Sequence, residues 1–161
     1  MAKFDAEAKL WYGSSTPGVL NPRANLGQVI LNLLSRSPDR VIQINADDGS
    51  EMTCAEMGRR IVRVALNLKR LGHQRGELVS LVCANSENVV PVFFGCVAIG
   101  LTVNPLAPVF NRDDLGHMMR QTQSSVVFCD ETNYVVVEEA VRLAMAGSIY
   151  YGCWQRRCEI N

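Results

Sequence analysis

Net charge is missing from this chain of 161 residues: sixteen basic and sixteen acidic side chains cancel, and the isoelectric point is near 6.7. A nucleic-acid-binding surface needs a clustered basic face, so no nucleic-acid partner is expected. The nearest approach to one, Arg59-Arg60, Arg63, Lys69-Arg70 and Arg75, reads as the solvated side of a helix rather than an anion site. Long apolar runs are missing too. Val89 to Val103, the longest weakly polar stretch, has 15 residues against the ~20 that a bilayer requires, and Pro91 and two glycines interrupt it. No membrane span is expected, and Met1-Ala2-Lys3-Phe4-Asp5 carries no secretory signal. The six cysteines, at 54, 83, 96, 129, 153 and 158, include no CxxC pair and no Cys/His zinc spacing. Cys83, Cys96 and Cys129 lie in apolar stretches, where free cysteine behaves as a small hydrophobe. Cys153 and Cys158 read as part of a loose tail rather than a disulfide or a metal pair. The expected setting is intracellular and reducing, cytoplasmic for this chain.

Phosphate-gripping loops are the third absence. Holding a triphosphate takes closely spaced glycines followed by a lysine and a hydroxyl, at a strand-to-helix turn. Gly13-Ser14-Ser15-Thr16-Pro17-Gly18 has the G-x-x-x-x-G spacing, but Val19-Leu20 follows where Lys and Ser/Thr are needed, and no strand precedes it. Gly95 to Gly100 repeats the spacing inside an apolar helix, again without the lysine. No G-x-G-x-x-G occurs. Ser80, Ser86 and Ser124 lack the G-x-S-x-G elbow. His73, just after a helix-ending Gly72, reads as an exposed loop residue, and His117 as a surface partner of Asp114. A nucleophilic Cys-His pair needs Cys83 or Cys129 beside one of these rings, which spacing by itself does not establish. Glu87 and Asp130 each follow a strand, where α/β proteins place ligands, but capping or turn formation explains them better. No residue is therefore assigned a catalytic, cofactor-binding or metal-binding role.

What is present is an orderly alternation of strand and helix. Hydrophobic content of 48% with 20% charged residues marks a globular chain, and a chain of this size buries roughly 70% of its unfolded surface. The first 24 residues read as irregular, with turn signals at Gly13 to Gly18 and Asn21-Pro22. Asn25 caps a helix with Leu26, Val29, Ile30, Leu33 and Leu34 inward, ended by Pro38. Val41 to Asn45 and Glu51 to Thr53 form strands about an Asp47-Asp48-Gly49-Ser50 turn. Thr53-x-x-Glu56 is a capping box opening a helix with Met57, Ile61, Val64, Ala65, Leu68 and Leu71 inward. Leu78 to Ala84 is a continuous apolar run, as in a strand covered on both faces. A helix from Ser86 or Asn88 to Ile99, a strand at Leu101 to Asn104, and a helix capped by Asn111 with Leu115, Met118, Met119 and Thr122 inward come next. A strand at Ser125 to Cys129 and a helix marked by Tyr134, Val137, Val141 and Met145 complete the series. The pattern predicts an α/β fold, a parallel sheet with covering helices.

Taken together, these residues resemble the N-terminal region of the acyl-CoA synthetase, 4-coumarate-CoA ligase and insect luciferase-like group of adenylate-forming enzymes. Phe4-Asp5 and Lys9-Leu10-Trp11-Tyr12-Gly13 resemble the insect luciferase-like leader. Leu26 to Ile30 and Pro38-Asp39-Arg40-Val41 are similar to the family's first helix and its exit. Thr53-Cys54-Ala55-Glu56 is similar to its T-x-x-E helix start, with Cys54 where Tyr is common. Gly76-Glu77-Leu78-Val79 resembles a G-D-x-V before a core strand, and Asn85-Ser86, Asn104-Pro105 and Asp114-Leu115 complete the match over roughly residues 4 to 145. The resemblance implies that complete relatives activate a carboxylic acid with ATP and magnesium to an acyl-adenylate, then pass the acyl group to coenzyme A. It implies no cofactor for this chain, whose sequence holds none of the family's phosphate loop or catalytic lysine.

The expectation is accordingly an incomplete N-terminal subdomain of the adenylate-forming fold. A leader occupies 1–24, a partial AMP-binding subdomain 25–147, and an unrelated tail 148–161, as in a truncated isoform that lacks activity alone. Relatives are often peroxisomal through a C-terminal S-K-L-type signal; this chain ends Glu159-Ile160-Asn161. Two other readings stand beside this one: a non-catalytic module binding a full-length relative through a sheet edge, and a small stand-alone nucleotide-binding domain. Expected partners are a full-length relative or chaperones, met through exposed apolar surface.

Overall fold

Regular structure begins earlier than the sequence suggests. In the computed structural model, which describes residues 2–13, 21 and 23–144, β1 (Lys3–Asp5) and β2 (Leu10–Tyr12) pair antiparallel, with Lys3 opposite Tyr12. The Asp5 carboxylate accepts from the Glu7 and Ala8 N–H groups, which holds the turn. Phe4 and Trp11 meet across the pair with ring centroids 5.0 Å apart and planes tilted by 43°. Strands of three residues are too short to display a period, so this hairpin had no signal to read. The Gly13-to-Gly18 loop beyond Gly13, Pro22, Met145 and the tail with Cys153 and Cys158 lie outside the described residues.

Asn25 caps α1 (Leu26–Ser35) by accepting from the Gly27 and Gln28 N–H groups. The inward side of α1 is rotated from the expected one. Gly27 and Leu34 are buried, whereas Leu26 and Leu33 are half exposed. A close helix crossing decides this: a Cβ on Gly27 would stand 2.3 Å from the Cα of Ala98.

β3 (Val41–Ile44) and β4 (Glu51–Thr53) form the expected hairpin. Thr53 caps α2 (Cys54–Arg70), its hydroxyl accepting from the Glu56 N–H at 3.3 Å. The return half of the capping box is not made, because the Glu56 carboxylate pairs with Arg59 and Arg60 at 2.6 and 2.8 Å. Cys54, Met57, Ile61, Val64, Ala65 and Leu68 are the buried side of α2. Leu71, expected inside, is exposed, since α2 stops at Arg70 and Gly72 turns the chain at φ +90°.

β5 (Leu78–Val82) is the centre of a three-stranded parallel sheet, flanked by β6 (Thr102–Leu106) and β7 (Val126–Cys129). The crossovers are α3 (Val89–Ala98) and α4 (Arg112–Thr122), and α5 (Tyr134–Ala144) follows one 3-10 turn at Glu131–Asn133. Asn111 caps α4 as predicted, accepting from the Asp113 and Asp114 N–H groups. On one face, Val64, Leu68, Val92 and Cys96 of α2 and α3 pack on Val79, Leu81, Val126 and Phe128. On the other, Leu115, Met119, Ala140 and Val141 of α4 and α5 pack on Val82, Val127 and Cys129. Burial on both faces is what the unbroken apolar runs of β5 and β7 encode. A third cluster joins Leu34, Met52, Met57 and fully buried Ile61; each such aliphatic side chain contributes about 1.5–3 kcal/mol.

Candidate functional site

After β5 the chain leaves toward α3 on one face, and after β7 it leaves toward α5 on the other. Adjacent strands whose exits diverge in this way open a crevice at their carboxyl ends, the position at which α/β sheets hold ligands. The crevice here has a volume of ≈ 180 Å³ and is walled by Cys83, Ala84, Asn85 and Ser86 on one side and Phe128, Asp130 and Thr132 on the other. Ligand sites are more often about 300–1,000 Å³, so this one is small.

Asp130 closes the crevice rather than waiting in it. One carboxylate oxygen accepts from the Ala84 N–H at 2.8 Å, across 46 residues of sequence. The other accepts from the Thr132 hydroxyl at 2.8 Å, the Asn133 N–H at 3.0 Å and the Asn133 Nδ2 at 2.6 Å. Burial alone would raise this carboxyl; the bonds from Ala84, Thr132 and Asn133 outweigh it and hold it below the usual range. The capping role read from the sequence is therefore correct, and the link to β5 is an addition. Glu87, the other strand-end carboxylate, caps nothing and lies 3.2 Å from Arg60. Arg60 also donates to Asn88 Oδ1 at 3.0 Å and to Glu56 at 2.8 Å, which depresses the Glu56 carboxyl. A single guanidinium on α2 thus ties down the loop that leaves β5.

No nucleophile assembles at the crevice. Burial, then the neighbouring Asp130 charge, push the Cys83 thiol up to about 12, and it donates to the Phe128 carbonyl at 3.7 Å. Cys96 is likewise pushed up to about 12 by burial. His73 is not the exposed loop residue expected: its ring is buried, with Nδ1 2.7 Å from Glu77. His117 is on the surface, but its neighbour is Gln121 at 3.3 Å rather than Asp114. Neither ring lines the crevice. Ser80 and Ser124 face each other in the interior at 2.6 Å, and Ser86 Oγ accepts weakly from the Asn88 N–H at 3.4 Å. No group of three or more His, Cys, Asp and Glu side chains among the described residues is placed to hold a metal ion.

A parallel sheet covered on both faces, with its crevice at diverging strand ends, defines the class of doubly wound α/β proteins. Within it, the chain belongs to the AMP-binding enzyme family, whose model matches residues 32–150. It is 22% identical over 113 residues to probable 4-coumarate–CoA ligase 1 of Dictyostelium discoideum, covering 70% of this chain and 20% of that protein. Over 91 residues it is 33% identical to probable acyl-activating enzyme 9 of Arabidopsis thaliana, covering 55% and 16%. Among solved structures, the fold superposes with a TM-score of 0.75 on the luciferase-like enzyme of the nonluminescent Zophobas morio mealworm, at 21% identity, covering 84% of this chain and 33% of that one. A benzoate CoA ligase from Burkholderia xenovorans gives a TM-score of 0.72 at 19% identity, covering 80% and 26%. The chain spans about a fifth of the length of the curated relatives it matches.

The family implies ATP, magnesium and coenzyme A for complete CoA ligases. The crevice does not fit a triphosphate: it is small, and both oxygens of Asp130 are already bonded. Three lysines, Lys3, Lys9 and Lys69, are all the sequence holds. Lys3 and Lys9 belong to the β1–β2 hairpin, and Lys69 sits in the last turn of α2, which leads to the opposite end of β5.

Proposed function

We propose that these residues form the N-terminal scaffold of an ATP-dependent acyl- or aryl-CoA ligase and do not adenylate a carboxylic acid by themselves. The observation that carries this reading is the lining of the crevice at the carboxyl ends of β5 and β7, which among the described residues includes no lysine. A phosphate-binding protein of this class concentrates its donors there. The scaffold role follows from the helices on both faces, which leave β5 to β7 as a rigid floor. Pyrophosphate exchange with ATP, magnesium and a panel of fatty acids, benzoate and 4-coumarate is the test. The chain alone is expected to give no exchange, and acid-dependent exchange by the purified chain would sink the proposal. Titration calorimetry with ATP and magnesium separates the small nucleotide-binding domain, which releases heat, from the scaffold, which does not.

A second reading, a non-catalytic module that docks on a complete family member through its sheet edge, has one observation in its favour. β7 is an edge strand of four buried residues, Val126 to Cys129, with no proline and no charge, and such edges invite pairing. The opposite edge, β6, is blunted by Pro105. Sedimentation of the chain mixed with a complete family enzyme decides it: a concentration-dependent heavier species supports docking, and independent sedimentation rejects it. Among the described residues no helix is long and apolar enough to cross a membrane. Among the described residues Cys54, Cys83 and Cys96 form no disulfide, which supports a reducing, intracellular setting; recovery in the cytosolic fraction checks it.

A further inference from the structure

A groove of ≈ 810 Å³ runs between α1 and α2, away from the strand ends. Leu31 and Leu34 line it from α1, and Val62 and Leu66 from α2. Val62 and Leu66 are 41% and 50% exposed, a large share for aliphatic residues that adjoin one another. A row of cations borders them: Arg59, Arg63 and Arg70. Arg59 pairs with Glu56 at 2.6 Å, whereas Arg63 and Arg70 have no ion pair among the described residues. At the upper end of the groove Gly58 carries no side chain, and a Cβ there would meet nothing within 4 Å.

We propose that this groove docks an acidic amphipathic helix, its apolar stripe on Val62 and Leu66 and its carboxylates on Arg63 and Arg70. Charge settles the sign of the partner. A second copy presenting the same face would set guanidinium against guanidinium, whereas glutamates flanking an apolar stripe would neutralise them. Shape settles its form. A small amphiphile is held in a site that buries most of its surface, and this trough is open along its length. The i, i+4 row of Gly58, Val62 and Leu66 is the kind of ridge against which another helix seats, and the bare Gly58 lets a partner backbone approach α2 closely. The mode is that of an amphipathic helix laid in a groove, and it is independent of the ligase reading.

The test uses the full chain and two fluorescent helical peptides of about five turns. Both carry leucines on one stripe; one is flanked by glutamates, the other by lysines at the same positions. Anisotropy is expected to show saturable binding of the glutamate peptide, at least about tenfold tighter than the lysine peptide and weakened by salt. Gly58→Leu should weaken it about tenfold by filling the groove, with an unfolding midpoint that does not fall, since a Cβ there meets nothing and leucine favours the helix over glycine. Arg63→Glu combined with Arg70→Glu, both exposed sites, should reverse the preference while leaving the circular dichroism unaltered. Equal binding of both peptides, binding of neither, or a preference that survives charge reversal would overturn the proposal. So would association with vesicles of phosphatidylcholine and phosphatidylserine in the absence of peptide binding, which would make the face a membrane contact.

Discussion

Asp130 is the residue on which the most geometry converges, because its carboxylate joins the exits of two strands. Asp130→Ala removes the cap of the 3-10 turn and the partner of the Ala84 N–H together, an expected loss of about 2 kcal/mol in urea unfolding. Asp130→Asn keeps one acceptor and should lose less. A pH dependence follows with a definite sign. The Asp130 carboxyl is depressed in the folded chain, and so is Glu77, held down first by its hydrogen bond to His73 and then by the Gln74 N–H. The unfolded chain therefore takes up protons first. Stability from both groups is complete above the unfolded values of about 4 and falls as the pH drops through the lower folded values. Unfolding midpoints at about pH 6 and about pH 3 check this, and Asp130→Asn should shallow the acid decline. Of these contacts the sequence shows only the local part. Asp130 is legible as a cap because its acceptor and donors are three residues apart, whereas its bond to Ala84 depends on how the strands pair. The burial of His73 escapes the sequence for a related reason: a residue after a helix-ending glycine is ordinarily in solvent, and the turn that brings the Glu77 carboxylate to its ring has no signature in the local pattern.

At the level of helices, two glycines mark crossings and one marks an open surface. A Cβ on Gly95 would stand 2.6 Å from the Cβ of Val64, so Gly95→Ala must push α3 off α2. Overpacking of this kind costs about 1–3 kcal/mol, and a similar loss is expected for Gly27→Ala. Gly58→Ala has the opposite sign. With open space around it in the interior of α2, the substitution should stabilise by up to about 1 kcal/mol through helix propensity alone. Thermal unfolding of the three variants side by side tests the contrast. The same glycines show where sequence periodicity stops. Met57, Ile61, Val64 and Leu68 announce α2 because most of the remaining positions of this helix are charged or small, with Val62 and Leu66 the exceptions. α1 and α3 are apolar on several sides, so their inward faces are chosen by the crossings at Gly27 and Gly95. The Gly95-to-Gly100 spacing belongs to packing rather than to phosphate binding: the first glycine is a contact and the second, at φ +83°, ends the helix.

For the molecule as a whole, the sheet order was not written in the sequence, although the strands and the helices between them were. Nothing in Leu78 to Val82 says that its two neighbours are β6 and β7 rather than β3 or β4; that choice belongs to the right-handed crossovers and to the faces that α2 to α5 must cover. The expected absence of acid activation rests on this level too, since it concerns what the carboxyl end of the assembled sheet offers. The central position of β5 has a consequence for how the protein is made. Both strands that hydrogen-bond to β5 lie after it in the chain, and the Asp130 bond that ties its exit comes 46 residues later than Ala84. At a synthesis rate of about 5–20 residues per second, the interval is roughly two to ten seconds. Through that time the exit of β5 stays untied, and until Thr102 to Leu106 has been made the apolar Leu78-to-Val82 segment has no strand to join and no α3 to cover it beside α2.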